Sequence, residues 1–178
     1  MSNILRCKDK FVSDMLRMLE VGSTNDVKII LEDGEIFANK DVLSARCDYF
    51  ATCVSNKKFI EGNTITIDLS HCSKVIMEKI VHYLFIGEVD LQDLSLIQLI
   101  NLMNMATMML LDELLASTEN FVLGFTLDSE ENFGPLPLLV KGLILAEQFK
   151  LIIIKDALVF KLHRIVKSMK TIPNIPKL

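Results

Sequence analysis

The chain has 178 residues, a hydrophobic fraction of 51% and a formal net charge of -4. This length suits one domain with or without a helical extension, and the hydrophobic content excludes an intrinsically disordered chain. The acidic balance argues against a nucleic-acid-binding surface, because phosphates are bound by clustered Lys and Arg.

The first half of the sequence alternates between helical and β-rich patterns. An amphipathic run ends before Gly22, which is a plausible C-cap. Asp33-Gly34 is a pair favoured in tight hairpins, and Asp41 is placed to cap a short helix. The polar segment 55–63 is expected to be a loop. The predicted elements are a helix over 11–21, a hairpin over 27–39, short helices over 42–46 and 48–54, and a strand over 64–69.

The second half predicts helices. Residues 94–111 carry no charge, but polar side chains recur at every third position and acidic residues bracket the segment. We therefore expect a helix buried in a soluble domain and no membrane span. The predicted helices cover about 74–85, 95–111, 111–122, 138–149 and 153–169. A small sheet clasped by a helical cluster is a helix-rich α+β fold.

The best domain boundary is the segment 124–137, which is rich in glycine, proline and acidic residues. We expect a first domain over 1–123, a linker or insertion over 124–137, a helical pair over 138–169 and a flexible tail over 170–178.

Residues with reactive side chains do not form a recognisable catalytic or metal-binding motif. His71 and Cys72 are adjacent but lack further ligands at zinc-site spacing. Arg46 is placed to lower the pKa of the Cys47 thiol, yet no histidine is close in sequence. The chain has no Gly-x-Ser-x-Gly elbow and no Walker loop. These patterns predict an interaction domain without enzymatic activity, cofactor or metal. The absence of Cys-x-x-Cys pairs fits a reducing compartment, the cytoplasm or nucleus.

Residues 25–115 resemble a BTB/POZ domain. The resemblance is carried by Asn25-Asp26-Val27, by FANKDVLSARCDYF at 37–50, by VHYLFIGEV at 81–89 and by the helix pair at 99–115. Asn39 stands where the family usually has histidine, and only residues 2–7 are available as a leading strand for exchange with a partner subunit.

The resemblance implies a homodimer and a groove centred on it. The first helix would form the dimer interface through Phe11, Met15, Met18 and Leu19. The alternative is that this helix packs only on its own domain. Asp26 and Lys40 match the charged pair of the groove, whereas the alternative role of Asp26 is to turn or cap the chain before the first strand.

Residues 114–122 and 138–169 resemble the first helices of a BACK domain, also called the 3-box. Phe59, Ile60 and Glu61 match the hydrophobic-x-Glu motif of cullin-3-binding BTB proteins, in which the apolar side chain fills a pocket on the partner. The alternative is that Phe59 packs on its own domain. The resemblance implies a cullin-3 E3 ubiquitin ligase adaptor for an unknown substrate protein. The rival function is a BTB self-association module of a transcriptional regulator or scaffold, independent of cullin.

Overall fold

The computed structural model describes residues 8–22, 25–55, 60–61, 64–128 and 136–170. The expected helix-rich α+β class is confirmed, while most of the predicted tail, residues 171–178, lies outside the described residues. The elements are α1 Lys8–Val21, β1 Val27–Leu31, β2 Gly34–Ala38, α2 Lys40–Arg46, α3 Asp48–Ser55, β3 Ile60–Glu61, β4 Thr64–Leu69, α4 Lys74–Ile86, α5 Leu96–Met108, α6 Asp112–Asp128, α7 Leu136–Gln148 and α8 Ile152–Lys170.

The four described strands form one sheet in the order β2-β1-β4-β3. β1 and β4 are parallel, whereas β2 and β3 pair antiparallel with β1 and β4. Alternate side chains point to opposite faces of a strand, and register partners share a face. The buried face of the two central strands therefore carries the register pairs Val27–Ile65, Ile29–Ile67 and Leu31–Leu69.

The chain divides into two compact units. The first contains the sheet, α1 to α4 and the turn Met108–Leu111, with α4 packing against α1, α2 and β2. The second contains Leu91–Thr107 and the chain from Asp112 onward, with α8 packing against α6 and α7. In this second unit α7 approaches α5 at Gly142, where an added Cβ would lie 2.9 Å from Leu96 Cδ2.

The N-terminus of α2 is capped by a residue other than the expected Asp41, and that of α4 is capped by a residue far away in sequence. Asn39, not Asp41, caps α2, and its Oδ1 accepts the backbone N–H groups of Asp41 at 3.0 Å and Val42 at 3.1 Å. Asp41 lies in the first turn, where its charge favours the helix dipole. At α4 the Ser73 side chain makes no capping bond, and Asp33 Oδ1 accepts the Lys74 N–H at 2.5 Å.

The segment 124–137, expected to separate two domains, is helical at both ends. α6 continues to Asp128, and α7 begins at Leu136. A single interior glycine such as Gly124 costs a helix only about 1 kcal/mol, so the helix passes through it. Pro137 lies in the first turn of α7, where a helix does not use the missing N–H.

No helix in the described part of the chain has the length and hydropathy needed to cross a membrane.

Candidate functional site

Asp26 and Lys40 are joined by two contacts. Lys40 Nζ lies 3.0 Å from Asp26 Oδ2, and the Lys40 backbone N–H donates to Asp26 Oδ1 at 2.9 Å. Asp26 immediately precedes β1 and Lys40 opens α2 just after β2. The hairpin pairs Val27 with Ala38 and so brings these flanking residues together. The carboxylate therefore both pairs with the ammonium and satisfies an N–H at the start of α2.

The ion pair shifts the pKa values of both partners. Partial burial acts to raise the pKa of the Asp26 carboxyl, but the hydrogen bonds and charge of Lys40 outweigh it and lower the pKa overall. Hydrogen bonding to Asp26 and its negative charge raise the pKa of Lys40. Side-chain exposure of 28% for Asp26 and 44% for Lys40 leaves the pair screened by solvent. Such a pair specifies the arrangement of the chain more than it adds stability.

Composition predicted a loop for the whole hydrophobic-x-Glu segment, but part of the segment is a strand. Ile60 and Glu61 form β3, in register with Ile65 and Thr64 of β4. Phe59 lies outside the described residues, and so do the side chains of Ile60 and Glu61. A sequence signal for this hairpin exists, because Gly-Asn at 62–63 is a pair common between two antiparallel strands.

The sheet places β3 near the charged pair. The Asp26 carbonyl accepts the Ile65 N–H at 2.9 Å, and Ile65 is also the register partner of Ile60. β4 therefore connects the segment before β1 to β3 at the same end of the sheet. The charged pair and the hydrophobic-x-Glu segment, which are two of the three sites predicted from the sequence, thus both adjoin β4.

The proposed dimer residues lie on α1, which packs against α4. The side chain of Phe11 is 59% exposed, while Met15, Met18 and Leu19 are half-buried. No described side chain of α1 belongs to the buried core. The helix therefore keeps accessible apolar surface that its own domain does not cover.

The cysteine and histidine positions do not converge on a reactive centre. Burial raises the pKa of the Cys47 thiol, so the predicted lowering by Arg46 is wrong. The Cys47 thiol is buried and directed at the carbonyl of Met109. Burial likewise raises the pKa of Cys72 to about 12. Within the ranges that the structure covers, no three His, Cys, Asp or Glu side chains cluster as metal ligands.

The sequence matches a protein family over more than half its length. The BTB/POZ domain model matches residues 15–125. Rho-related BTB domain-containing protein 2 of Mus musculus is 32% identical over 146 residues, which is 80% of this chain and 17% of that protein. The Kelch repeat and BTB domain-containing protein 2 of Ectromelia virus is 28% identical over 66% of this chain and 20% of that protein. The chain thus spans at most a fifth of the length of these two relatives.

Solved structures share the fold at lower sequence identity. The BTB domain of human gigaxonin superposes with a TM-score of 0.53 at 20% identity, covering 68% of this chain and 97% of that one. The BTB domain of zebrafish PATZ1 gives a TM-score of 0.54 at 15% identity, covering 68% and 98%.

Proposed function

Because the chain belongs to the BTB/POZ domain family, a family of protein-interaction modules, we propose that it is a substrate adaptor of a cullin-3 E3 ubiquitin ligase. It dimerises through α1 and binds cullin-3 through Phe59-Ile60-Glu61. The observation that carries the proposal is the position of this hydrophobic-x-Glu triplet between α3 and β4, with its last two residues in β3. The apolar residue fills a pocket on the partner and the carboxylate accepts hydrogen bonds.

The adaptor contributes no catalytic group to ubiquitin transfer. It raises the local concentration of a bound substrate protein near the transfer machinery, and this proximity accelerates the reaction. Dimerisation presents two cullin sites and two substrate sites in one assembly.

A titration with the N-terminal region of cullin-3 tests this function. We expect saturable binding with one cullin fragment per chain, measured by isothermal titration calorimetry. The matched control is the double variant Phe59→Ala/Glu61→Ala, which should retain its fold and lose most of the affinity. Absence of binding by the folded, dimeric wild-type chain would refute the adaptor function.

The half-buried apolar side chains of α1 and the Asp26–Lys40 pair also favour a second function. We propose as the alternative a self-association module of a transcriptional regulator or scaffold, in which the groove between subunits recruits a peptide. This alternative predicts a stable dimer that does not bind cullin-3. It also predicts that Lys40→Met changes peptide binding, whereas Phe59→Ala does not.

A further inference from the structure

The outer side of α8 exposes an apolar surface that runs along the helix. Of the fifteen large hydrophobic residues that are exposed in the described ranges, five lie on α8. They occur in three groups at a spacing of seven residues: Ile152 and Ile153, then Val159 and Phe160, then Val166. This spacing keeps the groups on one side of the helix, opposite the buried Ile154, Leu158 and Lys161.

The sequence that follows α8 has an apolar repeat of its own. Residues 171–178 read TIPNIPKL, and the apolar side chains that recur at every third position are Ile172, Ile175 and Leu178. Pro173 and Pro176 fix their own φ near the polyproline II value and bias each preceding isoleucine to the same region. Polyproline II has three residues per turn and a rise of about 3.1 Å per residue, so the three apolar side chains would share one face at intervals of about 9.3 Å.

The two repeats match if this segment runs back along the helix. Measured from Lys170, where α8 ends, a polyproline II chain reaches about 6 Å at Ile172, about 16 Å at Ile175 and about 25 Å at Leu178. At about 1.5 Å per residue, the three groups of α8 lie about 6 Å, about 16 Å and about 26 Å back from the same point. Each apolar residue of the segment therefore falls opposite one apolar group of the helix.

Opposite charges also fall at the same level. Lys177 would lie about 22 Å along the segment, and Asp156 lies about 21 Å back along α8. Asp156 is exposed, and at about 100° per residue it stands about 40° around the helix from both Ile152 and Phe160. The carboxylate is therefore inside the apolar surface, at the height where the segment carries an ammonium group.

We propose that residues 171–178 fold back along the outer side of α8 as a polyproline II segment. Ile172, Ile175 and Leu178 cover the three apolar groups, and Lys177 pairs with Asp156. Because the segment belongs to the same chain, its effective concentration at the helix is high and a short apolar contact suffices to hold it. The surface of α8 becomes available to another protein only when the segment leaves it. This contact lies outside the cullin-binding triplet, so it stands or falls independently of the proposed function.

A single introduced indole tests the contact in the full chain, because the sequence contains no tryptophan. Ile175→Trp places the indole on the apolar row, and Asn174→Trp, one position away, is the matched control. We expect the first variant to show blue-shifted emission and an acrylamide quenching constant at least about threefold lower, because its indole is covered by α8. Lys177→Glu should raise the quenching of the Ile175→Trp chain, and adding Asp156→Lys should lower it again.

A second substitution removes the surface on which the segment would dock. Phe160 is 55% exposed, so Phe160→Glu should preserve the fold and raise the quenching constant of the Ile175→Trp chain to that of the control. Phe37→Glu, at an exposed position of the sheet, should leave it unchanged. Circular dichroism checks each fold, and Val159→Glu replaces Phe160→Glu if that variant unfolds.

The quenching of the two tryptophan variants decides the proposal. Equal quenching of Ile175→Trp and Asn174→Trp would overturn it, and so would protection that Phe160→Glu leaves intact. Docking within one chain does not depend on protein concentration. Protection that disappears on dilution would therefore also overturn the proposal and would assign the α8 surface to a second copy.

Discussion

The Asp26–Lys40 pair makes the free energy of unfolding depend on pH in both acid and alkaline solution. The pKa of Asp26 is lowered in the folded state. Its contribution to the free energy of unfolding is therefore present above the unfolded pKa of about 3.9 and is lost as pH falls through the folded pKa. The pKa of Lys40 is raised in the folded state. Its contribution to the free energy of unfolding is therefore complete below about pH 10.4 and is lost as pH rises through the folded pKa. We expect Asp26→Asn to lower the free energy of unfolding at neutral pH and to have little effect in strong acid.

A double-mutant cycle isolates this pair. Asp26→Asn, Lys40→Met and the double variant are unfolded with urea at neutral pH and in strong acid, where Asp26 is protonated in both states. The coupling free energy should be favourable at neutral pH and absent in acid. Equal coupling at both pH values would contradict an electrostatic pair, because it would show that shape alone joins the two residues.

Single residues differ in how far the sequence predicts their contacts. The Asp26–Lys40 match came from resemblance to a family, and the structure joins the two side chains. The cap on α4 was missed because it comes from Asp33, 41 residues before Lys74. Local sequence rules look for a cap within a few positions of the helix start, so a cap supplied by tertiary structure escapes them.

The packing of helices α5 and α7 depends on Gly142. A Cβ there would meet Leu96 Cδ2 at 2.9 Å and Ile100 Cδ1 at 3.3 Å, and both neighbours are buried. We expect Gly142→Ala to lower the free energy of unfolding by about 1 kcal/mol, because overpacking of 1–3 kcal/mol exceeds the gain in helix propensity. Urea unfolding at neutral pH measures the change.

Gly124 provides the matched control for this substitution. It lies inside α6 with no atom within 4 Å of an added Cβ. Gly124→Ala should therefore raise the free energy of unfolding by about 0.5–1 kcal/mol through helix propensity alone. If both substitutions stabilise the chain equally, close packing at Gly142 is not a constraint.

At the scale of elements, periodicity predicted the long helices and the hairpin of β1 and β2. It missed β3 because two residues are too short to show alternation, although the sequence pair Gly-Asn that follows is a signal typical of hairpins. The parallel pairing of β1 with β4 was also not predicted. That pairing joins strands between which two other strands and two helices lie in sequence, and no local pattern specifies it.

The assembly of the whole molecule depends on α1 in our account. Phe11 is 59% exposed, so Phe11→Glu should preserve the fold while placing a charge in the dimer interface. Light scattering at tens of micromolar should report a dimer for the wild type and a monomer for this variant. Ile30→Glu, at an exposed position on the sheet, is the control and should remain dimeric. A monomeric wild type would show that the apolar face of α1 serves only its own domain.

The sequence indicated the α+β class of the whole chain because helical and alternating patterns are local properties. Composition predicted a domain boundary at 124–137, whereas the helices α6 and α7 extend into that segment from both sides. Composition locates glycine and proline but does not reveal whether neighbouring contacts allow a helix to include them.

The most direct test of the adaptor function combines a thermal melt and a cullin-3 titration on Phe59→Ala, with Asn56→Ala as the control outside the triplet. We expect an unchanged melting temperature and a loss of about 2 kcal/mol or more in binding free energy, as for a hot-spot residue. Unchanged cullin-3 affinity together with a loss of about 3–5 kcal/mol in stability would contradict it, because Phe59 would then be a core residue whose removal leaves a cavity.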